Sequence, residues 1–353
     1  MALPLRPFIE PMLSEAEDEI PSGPGWRYEP KWDGFRALVF RDGESIHLQS
    51  RKGQPLERYF PELLPALAEA LPPRAVVDGE IVVAGPRGLD FDALSQRIHP
   101  AASRIQRLSK QTPAAFVAFD LLALGDDDLR EQPFSERRSR LETAIRETEQ
   151  IFVTPQTPSR EDARRWFEEF EGAGLDGVVA KREDLRYRPG ERVMVKVKHL
   201  RTVDCVVGGY RKHKQGGIGS LLLGLYDDAG ALQHVGVVAS FTDRVRRELV
   251  DKLAPYRQDA LVDHPWREWA AHSEGGARRV PGMTSRWNAD KDLSWVPLRA
   301  ELVVEVAYDH MQGTRFRHTA QLRRWRPDKR PRDCTYAQLE VVAPAELARI
   351  FRG

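Results

Sequence analysis

The sequence contains few of the residues that build disulfide frameworks and metal centres. Its 353 residues include two cysteines, Cys205 and Cys334, which lie far apart along the chain. A disulfide framework or a Cys-x-x-Cys metal site is therefore not expected. The nine histidines show none of the spacings typical of metal ligands. This composition fits a protein of a reducing compartment.

Long apolar runs are absent as well. No apolar stretch reaches 18 residues, so the sequence predicts no membrane-spanning helix and no membrane partner. The segment Met1 to Pro7 has neither a long apolar core nor a cleavage site, which argues against a signal peptide. With 41% hydrophobic and 30% charged residues, the chain is expected to be a soluble cytoplasmic protein, with a monomer as the default state.

The net charge of +1 conceals a strongly basic segment near the end of the sequence. Residues 315–332 contain eight Arg or Lys residues against one acid, Asp328, which gives this window a charge of +7. Phe316, Leu322 and Trp325 are interleaved with the basic residues, so the segment is expected to fold rather than to form a solvated tail. Polyphosphate or nucleic acid is the natural partner of such a surface.

The first part of the chain reads as a mixed domain. In residues 1–200, apolar strands alternate irregularly with amphipathic helices, which indicates an α+β domain with antiparallel sheets. Residues 1–25 are rich in proline and acid and are interpreted as an irregular lead-in. Residues 91–110 are interpreted as a helix.

The remainder of the chain has a different pattern of predicted elements, which indicates a second domain. Short strands surround a helix over residues 243–253, as in a small β-barrel such as an OB-fold. Trp266, Trp269, Trp287 and Trp295 are interpreted as packing residues of this domain. Because single domains usually contain ~100–200 residues, we predict two domains. Their predicted bounds are 1–200 and 201–353, with a linker near 199–202.

Charged residues interrupt or end the apolar strands of the first domain. An unpaired buried charge is costly, so an apolar strand that carries an acid or a lysine often ends at a site. One such strand is equally well explained by a structural salt bridge, but a series of them in one domain indicates function. In chain order the motifs are Lys-Trp-Asp-Gly-Phe-Arg at 31–36, Ser-Arg at 50–51, Asp-Gly-Glu at 78–80, Phe-Asp at 119–120, Asp-Gly-Val-Val-Ala-Lys at 176–181, Lys-Val-Lys at 196–198 and Arg-Trp-Arg-Pro-Asp-Lys at 324–329.

This order of motifs resembles that of the ATP-dependent DNA ligases, over roughly residues 10–340. The tryptophan of the last motif and the compact two-domain length make the chain most similar to bacterial ligase C and to the ligase module of ligase D, which are associated with end joining and excision repair. The resemblance implies an adenylation (nucleotidyltransferase) domain followed by an OB-fold domain. It also implies an enzyme that seals nicks in double-stranded DNA through a covalent lysyl-AMP intermediate, with ATP as substrate and Mg²⁺, or Mn²⁺ in its place, as cofactor.

The resemblance also implies roles for single residues. Lys31 would be the catalytic nucleophile, and Glu80 and Asp176 would contact magnesium or the ribose. Glu29 and Phe119 are expected to bind adenine, and Arg36 and Arg51 are expected to bind the ribose or the 5′-phosphate of the nick. Lys181 and Lys198 would contact the α-phosphate, with Lys196 as a further cation. Arg324, Arg326 and Lys329 would contact the β- and γ-phosphates. The family usually has glutamate at position 176, and aspartate is one methylene shorter but keeps the charge that a hard cation requires.

Attack on the α-phosphorus of ATP requires a neutral amine. A free lysine with a pKa of ~10.4 is neutral in only about one molecule in 2,500 at pH 7. Nearby cations and burial favour the neutral form, and Lys196, Lys198 and a bound Mg²⁺ are the candidate sources. Contact of the last motif with the departing phosphates would require the second domain to close over the first, with a hinge near 199–202.

Other functions fit parts of the sequence. An RNA ligase or a capping-type nucleotidyltransferase shares the Lys-x-Asp-Gly pattern, and the choice between DNA and RNA depends on surface contacts at the nick. A non-catalytic DNA-binding repair scaffold with a decayed pocket belongs to a different class. The complete set of motif lysines disfavours it, namely Lys31, Lys181, Lys196, Lys198 and Lys329. The sequence shows no long N-terminal helical DNA-binding domain, so we expect incomplete encirclement of DNA, help from end-joining or repair partner proteins, and association with the nucleoid.

Overall fold

The computed structural model describes residues 3–85, 88–199, 201–268 and 294–339. These residues form two compact units, 3–199 and 201–339. Leu200 of the predicted linker lies outside the described residues, as do Trp269 and Trp287. Within the described ranges, no helix is long and apolar enough to cross a membrane.

The first unit combines strands with short helices. Its strands are β1 (Leu13–Glu17), β2 (Trp26–Pro30), β3 (Phe35–Asp42), β4 (Ser45–Ser50), β5 (Arg74–Gly85), β6 (Gly88–Leu89), β7 (Ala114–Leu124), β8 (Asp127–Asp128), β9 (Ile151–Val153), β10 (Gly177–Arg182) and β11 (Arg192–Lys198). Its α-helices are α1 (Leu63–Ala70), α2 (Phe91–Ser95), α3 (Ala102–Gln111), α4 (Phe134–Ala144) and α5 (Arg160–Glu169). Short 3₁₀ helices lie at Glu57–Tyr59 and Phe170–Ala173.

Two sheets form the frame of the first unit. The larger sheet has the strand order β4-β3-β5-β7-β8, with β6 attached to β5 and β9 attached to β7. The smaller sheet has the order β1-β11-β10-β2. Neighbouring strands are antiparallel, except that β1 runs parallel to β11 and β9 runs parallel to β7. The predicted α+β fold with antiparallel sheets is confirmed.

Apolar side chains on both faces of β3 fix this strand in the core. Successive side chains of a strand point to opposite faces of its sheet. Ala37 and Val39 pack into one hydrophobic cluster, together with Phe116 of β7. Leu38 and Phe40 pack into another cluster on the opposite face. Because β3 is covered on both faces, the charged motif at its start is held in a fixed position.

Two segments of the first unit differ from the sequence-based predictions. The predicted irregular lead-in, residues 1–25, contains β1, which pairs along its length with β11. The predicted helix over residues 91–110 is interrupted, since α2 ends at Ser95 and α3 begins at Ala102. Pro100 lies in the break, and a proline disfavours helical backbone at the residue before it.

The second unit is a small β-structure with a helix. Its strands are β12 (Arg201–Lys212), β13 (Ile218–Tyr226), β14 (Leu232–Val238), β15 (Val296–Tyr308), β16 (Met311–Gln312), β17 (Arg315–Phe316) and β18 (Gln321–Trp325). Its helices are α6 (Asp243–Leu253) and the 3₁₀ helices Ala254–Tyr256, Pro331–Asp333 and Tyr336–Gln338.

An antiparallel sheet with the strand order β14-β13-β12-β15-β18 forms the second unit. The register of β12 shifts between Val207 and Gly209, and such bulges bend a strand so that it can serve a barrel. Trp266 is buried beside this bulge, and its indole donates to the carbonyl of Leu232 at 2.7 Å. Trp295 packs edge-to-face on Trp266 at 6.0 Å. The predicted OB-fold is confirmed.

Candidate active site

Lys31 lies in a turn between β2 and β3 that is held by the start of β10. The N–H of Lys31 donates to the carbonyl of Gly177 at 2.9 Å, and the carbonyl of Lys31 accepts from the N–H of Asp176 at 2.9 Å. A Cβ on Gly34 would lie 2.2 Å from the carbonyl oxygen of Ile81. Gly177 has a φ of +140°, which side chains with a Cβ rarely adopt. The motif glycines therefore allow the close approach that places Lys31.

The carboxylate of Asp176 lies between two ammonium groups. Its Oδ2 atom is 2.6 Å from Nζ of Lys31 and 2.7 Å from Nζ of Lys198. The Asp176 side chain is 5% exposed, whereas those of Lys31 and Lys198 are 20% and 27% exposed. A carboxylate buried to this degree requires paired positive charge. Lys31 and Asp176 are 145 residues apart in sequence, and their ion pair is the centre of the site.

Lys196 brings a further ammonium group to this region. It lies two residues before Lys198 on β11, so both side chains point to the same face of the sheet. Burial lowers the pKa of Lys196, and the charges of Lys198 and Lys31 lower it further. Arg192 and Arg51 act in the same direction. This concentration of positive charge is suited to a bound phosphate.

Glu80 is a carboxylate that its surroundings compensate incompletely. It lies on β5 directly opposite Arg36 of β3. Burial raises the pKa of Glu80 to about 7, although the charges of Arg36 and Lys31 oppose this rise. A cation beside the carboxylate would stabilise its ionised form.

The carboxylates of the site fit a magnesium ion that also binds substrate phosphates. Among the described residues, no group of three or more His, Cys, Asp or Glu side chains could hold a metal ion on its own. Mg²⁺ usually needs one or two carboxylates, with water and phosphate oxygens as its other ligands. Glu80 fits such an ion because its charge is poorly compensated. Asp176 already has two ammonium partners and fits less well as a direct ligand.

Arg36 is held by a buried carboxylate to which the sequence assigned no role. The Nε and Nη2 atoms of Arg36 donate to the two oxygens of Asp78 at 2.5 and 2.6 Å. The hydroxyl of Tyr187 donates to Asp78 at 2.6 Å and accepts from the N–H of Met12 at 3.1 Å. The guanidinium carbon lies 4.4 Å from the ring centroid of Phe119. Bidentate pairing fixes the plane of a guanidinium, so this network sets how Arg36 faces the ring.

Lys181 and Glu29 form a buried ion pair beside Phe119. The Nζ atom of Lys181 is 2.8 Å from the carboxylate of Glu29 and donates to the carbonyl of Phe119 at 3.1 Å. Gln156 donates to Glu29 at 3.1 Å, and Arg138 lies 3.5 Å from the same carboxylate. Side chains held by several partners in this way are preorganised for recognition of a ligand.

A cavity of about 200 Å³ brings these side chains together. The predicted site residues that line it are Glu29, Lys31, Arg36, Arg51, Glu80, Phe119, Lys181 and Lys196. Asp176 adjoins the cavity through its ion pair with Lys31, and Lys198 pairs in turn with Asp176. Ser14 and Arg192 also line the cavity, and no sequence motif marks either of them.

In the second unit, the basic residues of the last motif are paired with carboxylates. Arg324 pairs with Glu305 at 2.8 Å, and Lys329 pairs with Asp204 at 3.3 Å. Arg326 has three carboxylate partners, which are Asp204 at 3.0 Å, Glu305 at 3.4 Å and Asp328 at 2.8 Å. The hydrogen bond from Arg326 lowers the pKa of the Asp328 carboxyl to about 2. The structure thus brings the three predicted phosphate-binding residues together on the second unit, where carboxylates hold them.

Sequence reasoning missed the residues that support the site. Asp78 belongs to a recognised motif, but nothing local shows that it pairs with Arg36. Tyr187 lies between β10 and β11 outside every motif, and its hydroxyl reaches a carboxylate 109 positions away. Arg138 lies on α4, outside every motif. These contacts are long-range, so a local pattern carries no signal for them.

Both units match one protein family. Residues 11–198 match the model described as ATP dependent DNA ligase domain, and residues 214–329 match the model described as ATP dependent DNA ligase C terminal region. The relative named DNA ligase C2, from Mycolicibacterium smegmatis, is 58% identical over 346 residues, which cover 96% of each chain.

More distant proteins match over most of the chain. The multifunctional non-homologous end joining protein LigD of Mycobacterium bovis is 34% identical over 314 residues, which cover 87% of this chain and 37% of LigD. A solved structure from work on Lig E DNA ligases as minimal DNA-binding scaffolds has a TM-score of 0.54 and 18% identity, and the match covers 89% of this chain and 99% of that chain. The structural likeness supports the fold alone.

A nucleotidyltransferase domain with a lysine at its cavity, followed in sequence by an OB-fold, defines the general class of this protein. The family model for the first unit covers more than half of the chain, and the relative at 58% identity spans nearly all of it. The chain therefore belongs to the ATP-dependent DNA ligase family. Its reaction is the ATP-dependent joining of 5′-phosphate and 3′-hydroxyl ends of DNA, with AMP and diphosphate as products.

Proposed function

We propose that Lys31 is the nucleophile of a three-step nick-sealing reaction. In the first step, Nζ of Lys31 forms a bond to the α-phosphorus of ATP, the bond to the β-phosphate oxygen breaks, and diphosphate and a proton leave. In the second step, a 5′-phosphate oxygen of the nick displaces Lys31 and takes the AMP. In the third step, the 3′-hydroxyl attacks the 5′-phosphorus, so that AMP leaves and the phosphodiester forms. The observation that carries this proposal is the position of Lys31 at the cavity, in contact with Asp176.

The cations around Lys31 would act on both reactants, since they favour loss of a proton from the amine and stabilise the negative charge of the phosphate. Lys198 shares Asp176 with Lys31, and a phosphate that binds Lys198 competes with Asp176 for this ammonium group. Lys196 adds positive charge, which favours loss of a proton from a neighbouring amine. The same charges stabilise the negative charge that develops on the nonbridging oxygens during transfer.

The cavity offers the groups that an adenosine requires. Phe119 would stack on adenine, and Glu29 would accept from the adenine amino group. The pair with Lys181 holds Glu29 in place before the nucleotide binds. Arg36 and Arg51 would bind the ribose or the 5′-phosphate of the nick, and Lys181 and Lys198 would contact the α-phosphate.

Magnesium would bind at Glu80, with Asp176 at or near the ion. Bound there, Mg²⁺ supplies a positive charge that neutralises the phosphates of the leaving group. We expect Glu80→Gln to raise the Mg²⁺ concentration for half-maximal lysyl-AMP formation by about tenfold, a loss typical of altered metal surroundings. The titration of AMP labelling against Mg²⁺ measures this, with Glu57→Gln as control. An unchanged Mg²⁺ dependence would remove Glu80 from the ion.

Arg324, Arg326 and Lys329 would bind the β- and γ-phosphates while diphosphate leaves. In the unit itself these residues are paired with Asp204, Glu305 and Asp328. Phosphate oxygens offer equivalent acceptors to arginine, so the nucleotide would replace carboxylates as the partner. We propose that the second domain closes over the first for this step, about a hinge near 199–202, and that the domain bounds are 1–200 and 201–353.

Nicked double-stranded DNA is the proposed substrate, and DNA repair or end joining is the proposed context. The name of the LigD relative supports end joining. We propose that the protein acts as a monomer in the cytoplasm, associated with the nucleoid, and that repair proteins recruit it.

Labelling with ATP that carries a radioactive α-phosphate tests the function. Wild-type protein with Mg²⁺ is expected to give a labelled band on a denaturing gel, and nicked DNA is expected to discharge the label as the nick is sealed. Lys31→Ala should abolish the label, while the exposed Lys52→Ala should retain it. Discharge by nicked RNA but not by nicked DNA would favour an RNA ligase, and absence of label would favour the scaffold function.

A further inference from the structure

A row of basic side chains extends from the rim of the cavity across the first unit. The row, which we call the basic strip, consists of Arg51, Lys52, Arg58, Arg104, Arg107 and Lys110. The first two lie in the turn after β4, Arg58 lies in the 3₁₀ helix Glu57–Tyr59, and the last three lie on α3. Arg51 lines the cavity, so one end of the strip lies at the active site.

Contacts within the fold join the pieces of the basic strip. Arg58 donates to the carbonyl of Pro100 at 3.0 Å, immediately before α3. The buried Arg97 donates to the carbonyl of Tyr59 at 2.7 Å. These contacts place the 3₁₀ helix beside the segment that leads into α3. The N–H of Leu56, just before the 3₁₀ helix, donates to the carbonyl of Leu48 on β4 at 2.9 Å, so the 3₁₀ helix also lies against the strand that precedes the turn.

The three cations of α3 lie on one face of the helix. Arg104, Arg107 and Lys110 follow an i, i+3, i+6 spacing, and residues three apart are neighbours on a helix surface. Ile105 and Ser109 are buried on the other side. Like charges at this spacing destabilise an isolated helix, so the fold gains nothing from them.

Among the described residues, no carboxylate forms an ion pair with a cation of the basic strip. Residues 93–119 contain no Asp or Glu. Glu57 pairs with His47, and Glu62 pairs with the buried Arg97 at 2.7 Å. Within the described part of the chain, neither Arg107 nor Lys110 has an ion-pair partner. A row of cations that the described residues leave uncompensated is consistent with an external anion.

We propose that the basic strip binds the phosphate backbone of duplex DNA beside the nick, an inference that rests on the proposed DNA substrate. The cations of α3 extend over ~9 Å at ~1.5 Å per residue. Duplex DNA carries one negative charge per ~1.7 Å of its axis, so a stretch of that length supplies enough phosphates for all of them. Exposed positions of α3 are polar or small, which matches protein–DNA interfaces better than protein–protein interfaces. The binding is independent of sequence because only phosphates are contacted.

The binding test uses a triple variant of α3 and a matched control. The triple variant is Arg104→Gln, Arg107→Gln and Lys110→Gln, and the control is Arg146→Gln, Arg164→Gln and Arg165→Gln, which removes the same charge from the surface of the same unit. Fluorescence anisotropy measures binding to a 5′-phosphorylated nicked duplex with a 3′-dideoxy end, at several salt concentrations. The triple variant is expected to bind at least about tenfold more weakly at low salt, and the slope of log K against log salt should fall by about 2 to 3.

AMP labelling separates this proposal from the proposed function. The triple variant of α3 should form lysyl-AMP from ATP as fast as wild type, because the strip residues of α3 lie outside the cavity. The single change Arg107→Gln should lower the salt slope by about 1, and it tests the strip if the triple variant folds poorly. Equal DNA binding by the triple variant and its control would contradict the proposal that the basic strip binds DNA. A wild-type chain that takes no label yet binds DNA through α3 would overturn the function and support the strip.

Discussion

Backbone contacts, more than side-chain contacts, place Lys31, the proposed nucleophile. The N–H and carbonyl of Lys31 pair with Gly177 and Asp176, so the side chain starts from a fixed point at the cavity. The sequence predicted that these residues share a site, because their motifs occur in the order of a known family. It did not predict that Asp176 would pair with Lys198 as well, since the pairing depends on the register of β10 and β11.

The residues proposed to bind adenine show the same limit of sequence reasoning. Phe119 and Glu29 were predicted from motifs, and both line the cavity. Their roles at adenine stay predictions. The partners of these two residues come from distant elements. Arg138 and Gln156 contact Glu29, and Arg36 lies over the ring of Phe119. A motif identifies a residue type at a position, but the partners depend on the complete fold.

We predict that Tyr187→Phe lowers the free energy of unfolding by about 1.5–3 kcal/mol. The change removes a buried hydrogen bond to the Asp78 carboxylate and leaves the N–H of Met12 without its acceptor. Urea unfolding with an unchanged m-value measures the loss. Tyr59→Phe serves as a control at a half-buried tyrosine and should change stability by less than about 0.5 kcal/mol. Equal stability of the two variants would show that the Tyr187 hydroxyl does not hold Asp78.

Elements with apolar patterns were predicted well from the sequence. The strands β3, β5 and β7 are buried on both faces, and their runs of apolar residues indicate this directly. Helix α6 was predicted with the bounds that the structure gives it, Asp243–Leu253. Thr242 caps its start by accepting from the N–H of Val245, which is a local signal.

Elements that depend on distant partners were predicted poorly. Strand β1 is half-exposed, and its sequence of Leu-Ser-Glu-Ala-Glu has a weak strand pattern. It forms because β11 offers an edge to which it adds in parallel. Such pairing joins residues nearly 180 positions apart, so the local sequence could not reveal it.

The OB-fold sheet contains a buried histidine that should make stability depend on pH. His234 on β14 is 4% exposed. Its Nδ1 atom accepts from Arg315 at 2.9 Å. Burial lowers the pKa of His234 to about 3, and the charges of Arg315 and Arg211 lower it further. Between about pH 6.5 and about pH 3 the unfolded chain binds a proton that the folded chain does not, so stability is complete above that window and is lost as the pH falls through it.

We predict that wild-type protein loses about 2 kcal/mol more stability between pH 7 and pH 5 than His234→Gln does. This figure follows from ~1.36 kcal/mol per pH unit below the ordinary pKa of histidine. Denaturant unfolding of both proteins at the two pH values measures the difference. His213→Gln, a change in a surface loop, should keep the wild-type dependence. The same pH dependence in wild type and His234→Gln would show that His234 is not buried in its neutral form.

At the scale of the whole molecule, charge is distributed according to the chemistry of each unit. The first unit collects lysines and arginines at its cavity and along the basic strip. The second unit holds its basic motif with Asp204, Glu305 and Asp328. The overall charge of +1 gives no indication of this arrangement. The basic window over residues 315–332 does indicate the basic motif of the second unit. The order of motifs carried the functional prediction, and long-range contacts supplied the rest of the site.

The measurement that tests the central claim most directly is the position of AMP on the protein. Wild-type protein is incubated with ATP and Mg²⁺, digested, and examined by mass spectrometry under conditions that preserve the phosphoramidate. AMP is expected on the peptide that contains Lys31 and should be absent from Lys31→Ala. AMP on Lys181, Lys196 or Lys198 in the wild-type protein would contradict the account, because the nucleophile would then be a different lysine of the same cavity.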